Sequence, residues 1–176
     1  MYKSIQYGRS MIEMLGVLAI IGVLSVGGLS VIAKAKRDSD ISKVMENTAH
    51  LVMTSKKLAC QYDSEYGTYT MMLYKSEIYP PSLTYDKLAN TFVDSVNNKY
   101  AITSNESNAT FTVTISNLKS EACIKLATSE WGNSHSNGFS KICIGNNCAT
   151  SFEIDEASSK CADNSTVKLT YNACKK

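Results

Sequence analysis

The strongest hydrophobic feature of the chain is an uncharged run near its N-terminus. Residues 14–33 form a stretch of 20 positions with no charged side chain, made almost entirely of apolar residues and glycine. A helix of this length spans about 30 Å, the thickness of the hydrocarbon core of a bilayer. The run is longer than the apolar region of an ordinary secretory signal peptide, and no A-x-A-like cleavage site follows it. The pattern predicts a transmembrane helix.

A helical period continues beyond this run. The mostly apolar positions recur at steps of three and four residues and are Ile41, Val44, Met45, Thr48, Leu51, Val52, Leu58 and Ala59. No proline precedes Pro80. We therefore predict one helix over residues 10–60, whose second half is amphipathic and packs one face on a globular partner.

The rest of the chain alternates short strand patterns with turns. The predicted strands cover residues 100–103, 110–115, 140–144, 149–154 and 166–171. A helix is predicted over residues 119–129 with Ala122, Cys123, Leu126 and Ala127 inward, and Ser82 is predicted to cap a short helix through Leu83, Leu88 and Ala89. The expected fold class is α+β, with a sheet of four to five antiparallel strands packed on the long helix.

Residues 61–81 are rich in tyrosine and end in two prolines. This composition is typical of a surface connection between the long helix and the sheet. Exposed tyrosines are common at protein interfaces, because each side chain is amphipathic. The same residues could equally well cover an edge of the sheet, and the sequence leaves both interpretations open.

The charge balance excludes some functions. The chain has 18 basic and 16 acidic residues, a net charge of +2, which does not indicate binding to nucleic acid through charge. Hydrophobic residues make up 44% of the chain, too many for a disordered protein.

A single carboxylate stands at the start of the uncharged run. Glu13 follows a stretch that reads G-R-S-M-I from Gly8. A carboxylate at the edge of a membrane span is costly unless it is paired, so it marks a candidate functional site. With the apolar run behind it, the stretch resembles the class III signal of type IV pilins and related type II secretion pseudopilins.

The resemblance implies a processing site. A basic leader, residues 1–8 with Lys3, would be removed by a prepilin peptidase after Gly8, and Arg9 would become the N-methylated first residue. Arg9 stands where this family usually has Phe or another apolar residue. Glu13 would then be the fifth mature residue, paired with the free amine of a neighbouring copy and so setting the register between subunits.

The resemblance also implies a segment order, a set of partners and a location. The expected segments are the leader 1–8, a transmembrane and polymerisation helix 9–33, the amphipathic half of the same helix 34–60, and a globular α+β head 61–176. The expected partners are other pilin copies in a homopolymer, the prepilin peptidase, and the assembly platform with its ATPase. The subunit would reside in the bacterial inner membrane with a cytoplasmic N-terminus, and afterwards in an extracellular pilus.

All six cysteines follow the uncharged run, which indicates an oxidising compartment for this part of the chain. Cys143 and Cys148 flank the predicted hairpin turn and are expected to bond across it. Type IVb pilins close a C-terminal loop with one disulfide, and resemblance to them implies a Cys123–Cys174 bond. This pairing leaves Cys60 with Cys161, while Cys161–Cys174 stays open as a rival for the C-terminal loop.

No pattern of a catalytic or cofactor site is present. His50 falls on the polar side of the predicted helix and His135 in a polar loop, and neither has a partner residue for catalysis in the sequence. The cysteine spacing is not that of a zinc site, so we expect neither a metal nor another cofactor. The expected function is that of a structural pilus subunit and not an enzyme. The alternatives are a minor pilin or type II secretion pseudopilin, and a monomeric membrane-anchored surface binding protein.

Overall fold

The computed structural model describes residues 11–61, 69–105, 109–132 and 137–173. Between residues 11 and 29, and at Gln61, only the backbone is described. The chain divides into two compact units, Met1–Asp40 and Ile41–Lys176. The division falls inside the segment 34–60 that the sequence predicts to be amphipathic.

The first element is α1, a helix of 51 residues from Met11 to Gln61. Its bounds agree closely with the helix predicted over residues 10–60. In the second unit, Val44, Leu51 and Leu58 on this helix are buried, at the spacing of one helical face. The predicted amphipathic stripe is therefore confirmed from Ile41 onward. Three polar residues that the apolar pattern did not single out, Asn47, Thr54 and Ser55, are buried as well.

None of the helices in the described part of the chain is both long enough and apolar enough to cross a bilayer. The transmembrane helix predicted over residues 14–33 therefore has no support from the structure, in which most of that range is described by backbone alone.

The remaining elements form an α+β unit, as predicted. They are α2 (Tyr69–Lys75), β1 (Thr84–Asp86), β2 (Thr91–Val93), β3 (Lys99–Asn105), β4 (Thr110–Leu118), α3 (Ser120–Thr128), β5 (Phe139–Ile144), β6 (Asn147–Ala149), α4 (Ile154–Lys160) and β7 (Ser165–Asn172). In the described residues the strands form one seven-stranded sheet in the order β1-β2-β3-β4-β7-β5-β6, and every pair is antiparallel. The prediction of four to five strands was too low.

Side-chain alternation places the core on one face of the sheet. In β4, Phe111, Val113 and Ile115 are fully buried, and their threonine neighbours are only partly buried. Strand β7 has the same alternation, and its Val167 and Leu169 lie opposite Ile115 and Val113. The strong two-residue period explains why both strands were found from the sequence.

The predicted short helix after Ser82 is wrong. This segment forms β1, a turn and β2, so Leu83 and Ala89 belong to no helix. The carboxylate Oδ1 of Asp86 accepts hydrogen bonds from the backbone N–H groups of Leu88 and Ala89, at 2.9 and 3.2 Å. Such a bond offers the backbone an alternative to helix. The side chain of Leu88 is fully exposed, so the apolar residue that indicated a helix face packs on nothing in the described chain.

Two other boundaries differ from the predictions. The strand expected over 149–154 ends at Ala149, and Ile154 instead begins α4 with an exposed side chain. In the tyrosine-rich connection, α2 forms where no helix was expected, because Tyr69, Thr70 and Leu73 give it a buried face.

The core lies between the inner face of the sheet and the helices packed on it. Helix α3 packs against β7 and β5, and its buried residues Ala122, Cys123, Leu126 and Ala127 are the four that the sequence placed inward. Residues of α1 from Val44 to Leu58 belong to the same hydrophobic cluster as the strand residues. The opposite face of β4 and β7 carries polar side chains.

Candidate assembly residues and surface grooves

The predicted processing and assembly residues lie at or before the start of the described chain. Gly8 and Arg9 are outside the described residues, and so is the side chain of Glu13, although its backbone belongs to α1. Cleavage after Gly8, methylation of Arg9 and pairing of Glu13 therefore stay predictions. An unbroken helical backbone from Met11 places Glu13 within the first turn of the long helix.

The cysteines follow the sequence predictions only in part. Cys143 and Cys148 are bonded across the β5–β6 hairpin, as predicted, and their Cα atoms are 4.0 Å apart. Cys123 of α3 is bonded to Cys161, which directly follows α4. The predicted Cys123–Cys174 and Cys60–Cys161 bonds and the rival Cys161–Cys174 bond are therefore all wrong. Cys60 is also disulfide-bonded, and Cys174 lies outside the described residues.

The geometry explains the unexpected pairing. Helices α3 and α4 pack on each other, which brings the buried side chains of Cys123 and Cys161 together with their Cα atoms 5.7 Å apart. The Oγ of Ser120 donates a hydrogen bond to the carbonyl oxygen of Cys161 at 2.9 Å. The sequence prediction missed this because residues 154–160 were not expected to form a helix.

A partly buried polar cluster lies at the turn between β2 and β3. The carboxylate of Asp94 accepts hydrogen bonds from the Tyr100 hydroxyl, the Asn98 side chain and the backbone N–H groups of Val96 and Asn98, all between 2.8 and 3.0 Å. Burial, with smaller contributions from the charge of Asp94 and its hydrogen bond, raises the pKa of the Tyr100 hydroxyl. This cluster fixes the turn between β2 and β3.

The tyrosines of the connection cover the first strands of the sheet. The ring of Tyr74 stacks on Tyr85 of β1 with centroids 4.1 Å apart, and Tyr79 stacks on Phe92 of β2 at 4.8 Å. These two tyrosines therefore cover a sheet edge, one of the two interpretations that the sequence left open. Beside them is the tyrosine groove, an open cavity of about 610 Å³ lined by Tyr74, Lys75, Glu77, Tyr79, Pro81 and Leu83.

A second cavity of about 610 Å³ lies on the polar face of the sheet. We call it the outer groove, and its lining includes Asn105, Thr112, Lys141, Cys148, Lys168 and Thr170. The sequence analysis did not identify it. The signal was present in the strand sequences, because β3, β5 and β7 each contain one lysine and the five strands from β3 to β7 contain no aspartate or glutamate.

One of the two histidines lies in the described part of the chain. His50 is exposed on α1, and His135 lies outside the described residues. In the part of the chain that the structure describes, no group of three His, Cys, Asp or Glu residues is placed to hold a metal ion.

Comparison with protein families gives a match over most of the chain. Residues 35–172 match the family described as PilS N terminal, and this range covers most of the chain. No curated protein and no solved structure matches the chain. The matched range contains the whole described sheet with α2, α3 and α4, but not the stretch from Gly8 to Glu13 that resembles a class III signal. The chain belongs to the PilS N-terminal family, and this membership fits a type IV pilin-like protein.

Proposed function

We propose that the protein is a structural subunit of a type IV pilus, with a structural and not a catalytic role. It polymerises through its hydrophobic N-terminal helix into an extracellular filament. The observation that carries the proposal is the agreement of two separate stretches of the chain. The class III signal lies before residue 14 and the family match lies within 35–172, so neither depends on the other.

Assembly follows from the placement of one carboxylate. A prepilin peptidase cleaves after Gly8, and the new amine of Arg9 is methylated. The apolar stretch holds the subunit in the inner membrane, with the N-terminus on the cytoplasmic side. When the assembly platform and its ATPase move the subunit into the filament, Glu13 pairs with the N-terminal amine of a neighbouring copy. An unpaired charge in a low-dielectric helix bundle is strongly unfavourable, so only the paired register is stable.

The disulfides support the extracellular location of the second unit. Disulfides persist in oxidising compartments, and two bonds lie within the region from Cys123 to Cys161. A filament outside the cell is exposed to proteases and to mechanical load. Proteolysis and mechanical failure of a subunit both proceed through unfolding, and cross-links slow that unfolding.

The test is substitution of Glu13 by alanine. We expect the Glu13→Ala subunit to fold and insert in the membrane normally, and to yield at least about tenfold fewer sheared filaments, because an unpaired amine opposes assembly. The measurement is the amount of subunit in the sheared fraction relative to the membrane fraction. Glu130→Ala, which removes an exposed carboxylate after α3, is the matched control and should assemble as the wild type does.

N-terminal sequencing of the same filaments separates the alternatives. Subunits that begin at a methylated Arg9 and make up most of the sheared filament support the proposal. A cleaved subunit found only in trace amounts would indicate a minor pilin or a type II secretion pseudopilin. An uncleaved chain that never enters filaments would indicate a monomeric membrane-anchored binding protein.

A further inference from the structure

The outer groove lies on the face of the sheet opposite the core. Thr112 of β4 and Thr170 of β7 lie directly across from each other, with their Oγ1 atoms 3.2 Å apart. Their neighbours along the strands, Val113 and Leu169, are fully buried on the inner face. Because side chains alternate along a strand, the two threonines point away from the core and into the groove. The disulfide between Cys143 and Cys148 also lines the groove and fixes the hairpin that borders it.

The described lining of the groove carries positive charge from two lysines. Lys168 of β7 lies opposite Cys143 of β5, and Lys141 lies opposite Thr170, so the two lysines are diagonal neighbours about 7 Å apart at their Cβ atoms. Among the residues that the structure describes, no acidic residue lines the groove. Neither lysine forms an ion pair with any residue of the described chain. Like charges on neighbouring side chains repel each other, and an anion placed between the two lysines would relieve that repulsion.

The rest of the lining donates and accepts hydrogen bonds. Hydroxyl groups come from Thr110, Thr112 and Thr170, and amide groups from Asn105 and Asn172. The bond between Thr112 and Thr170 uses one donor, which leaves the other hydroxyl hydrogen and several lone pairs for a ligand. The lining therefore matches a ligand with many hydroxyl groups.

The composition of the groove also excludes some ligand classes. Its lining, within the described residues, contains no aromatic residue, whereas single-stranded nucleic acids bind through stacking on aromatic rings. It also lacks the apolar surface that lines most pockets for small apolar molecules. What remains is recognition by charge and hydrogen bonds together.

We propose that the outer groove binds an acidic carbohydrate, with the sugar carboxylate between Lys141 and Lys168 and the ring hydroxyls bonded to the threonine and asparagine side chains. This site is additional to the proposed assembly function and does not depend on it. In a filament the groove would be repeated in every copy, so weak single-site binding would add up to strong attachment.

The probe is tetragalacturonate, an oligosaccharide that has one carboxylate on each ring. Its fully methyl-esterified form keeps the ring hydroxyls but removes every charge. Binding of both compounds to the full chain in a nonionic detergent is measured by calorimetry at low salt. We expect the acid to bind at least about tenfold more tightly than the ester, because charge-assisted hydrogen bonds are the stronger kind. Equal binding of the two forms would overturn the proposal.

The matched variants locate the site. We expect Lys141→Gln and Lys168→Gln each to weaken tetragalacturonate binding about fivefold, and the double variant to weaken it more than about twentyfold. Lys125→Gln removes an exposed lysine from α3, on the opposite side of the sheet, and should change binding by less than about twofold. A loss equal to that of the groove variants would show nonspecific attraction and would overturn the proposal. Circular dichroism checks that each variant is folded.

Two further outcomes assign the lysines to another role. Tighter binding of a single-stranded oligonucleotide of matched charge, lost in the double variant, would make the groove a nucleic-acid surface and refute the proposal. Loss of filaments in the double variant, with tetragalacturonate binding retained, would assign the lysines to contacts between subunits and would likewise refute it. Filament yield equal to wild type together with lost sugar binding supports the proposal, whatever the result for Glu13.

Discussion

The two edges of the sheet end in equally short strands but are stabilised by different chemistry. Strands β1 and β2 at one edge and β6 at the other have three residues each, so each forms few ladder hydrogen bonds. The β1–β2 edge is held by stacked aromatic rings and by the hydrogen bonds of Asp94. The β5–β6 edge is cross-linked by the Cys143–Cys148 disulfide. A short edge strand thus needs support beyond its own ladder hydrogen bonds. The β5–β6 edge depends on an oxidised cysteine pair, and the β1–β2 edge does not.

The largest expected effect is loss of the disulfide that ties α3 to α4. Cys123 and Cys161 are 38 residues apart, and closing a loop of that length stabilises the fold by about 4 kcal/mol in the chain-entropy treatment. We expect the Cys123→Ser/Cys161→Ser variant to lose about that much free energy of unfolding, as measured by urea denaturation. The control is Cys143→Ser/Cys148→Ser, whose separation of five residues predicts a loss of about 2 kcal/mol. Equal losses would show that loop length does not set how much each of these two disulfides stabilises the fold.

The second expected effect is at the other edge. Asp94→Ala removes four hydrogen bonds and leaves the Tyr100 hydroxyl without its acceptor, so we expect a loss of about 3 kcal/mol. The control is Asp86→Ala in an exposed turn, with an expected loss of about 1 kcal/mol. The difference between wild type and Asp94→Ala should be the same with and without reductant. If the loss of unfolding free energy caused by Asp94→Ala disappears on reduction, the two edges are energetically coupled and do not have independent supports.

The third effect appears at high pH. Burial raises the pKa of Tyr171 in β7, and the native chain therefore keeps this proton after the unfolded chain has released it. The contribution of this group to the free energy of unfolding is fully present below about pH 10, the usual tyrosine pKa. Above that pH the free energy of unfolding falls by about 1.4 kcal/mol per pH unit. Tyr171→Phe should reduce this slope in urea denaturation between pH 10 and pH 11 while changing stability little at pH 7. Stability at pH 7 should change little because the hydrogen bond from the Tyr171 hydroxyl to the carbonyl oxygen of Trp131 is long, at 3.5 Å, and therefore weak.

Tyr100→Phe is the matched variant for that experiment. Burial and Asp94 raise the pKa of Tyr100 as well, so this variant should reduce the alkaline slope too. Unlike Tyr171→Phe, it should also lose stability at pH 7, because the bond to Asp94 is 2.9 Å long. If neither variant changes the slope, each hydroxyl has the same pKa in the folded and the unfolded chain, and the assignment is incorrect.

The smallest expected effect is in the aromatic stack. Tyr74→Leu keeps apolar area but removes the stacked contact with Tyr85, so we expect a loss of about 1 kcal/mol in urea denaturation. Met71→Ala, on an exposed part of the same helix, should change stability by less than about 0.5 kcal/mol. A Tyr74→Leu loss no larger than that of the control would leave Asp94 as the main support of this edge.

The sequence predicts the long strands and the helices with a full hydrophobic face, and it predicts the short elements poorly. Strands β4 and β7 alternate cleanly over eight or nine residues, and α3 repeats its apolar positions over more than two turns. In β1 and β2 the pattern covers three residues, too few to separate a strand from a helix. Their turn is set by the side chain of Asp86, and Asn90 at its end has a positive φ of 51°.

The candidate sites differ in the same way. Gly8, Arg9 and Glu13 were identified because their signal is a local spacing, which the sequence shows directly. The Cys143–Cys148 bond is also local, whereas Cys123–Cys161 depends on the packing of two helices. The outer groove combines residues from β3, β4, β5, β6 and β7, so its lysines become neighbours only when the strand order is known.

The position of β7 has a consequence for the order of folding. This strand lies between β4 and β5, and its contact from Thr170 to Thr112 closes a separation of 58 residues. Until β7 is in place, β4 and β5 each have an unpaired edge that could join another chain. Contacts of such long range form slowly. The sheet therefore completes only when the last described strand has left the biosynthetic machinery, and until then the edges of β4 and β5 stay open.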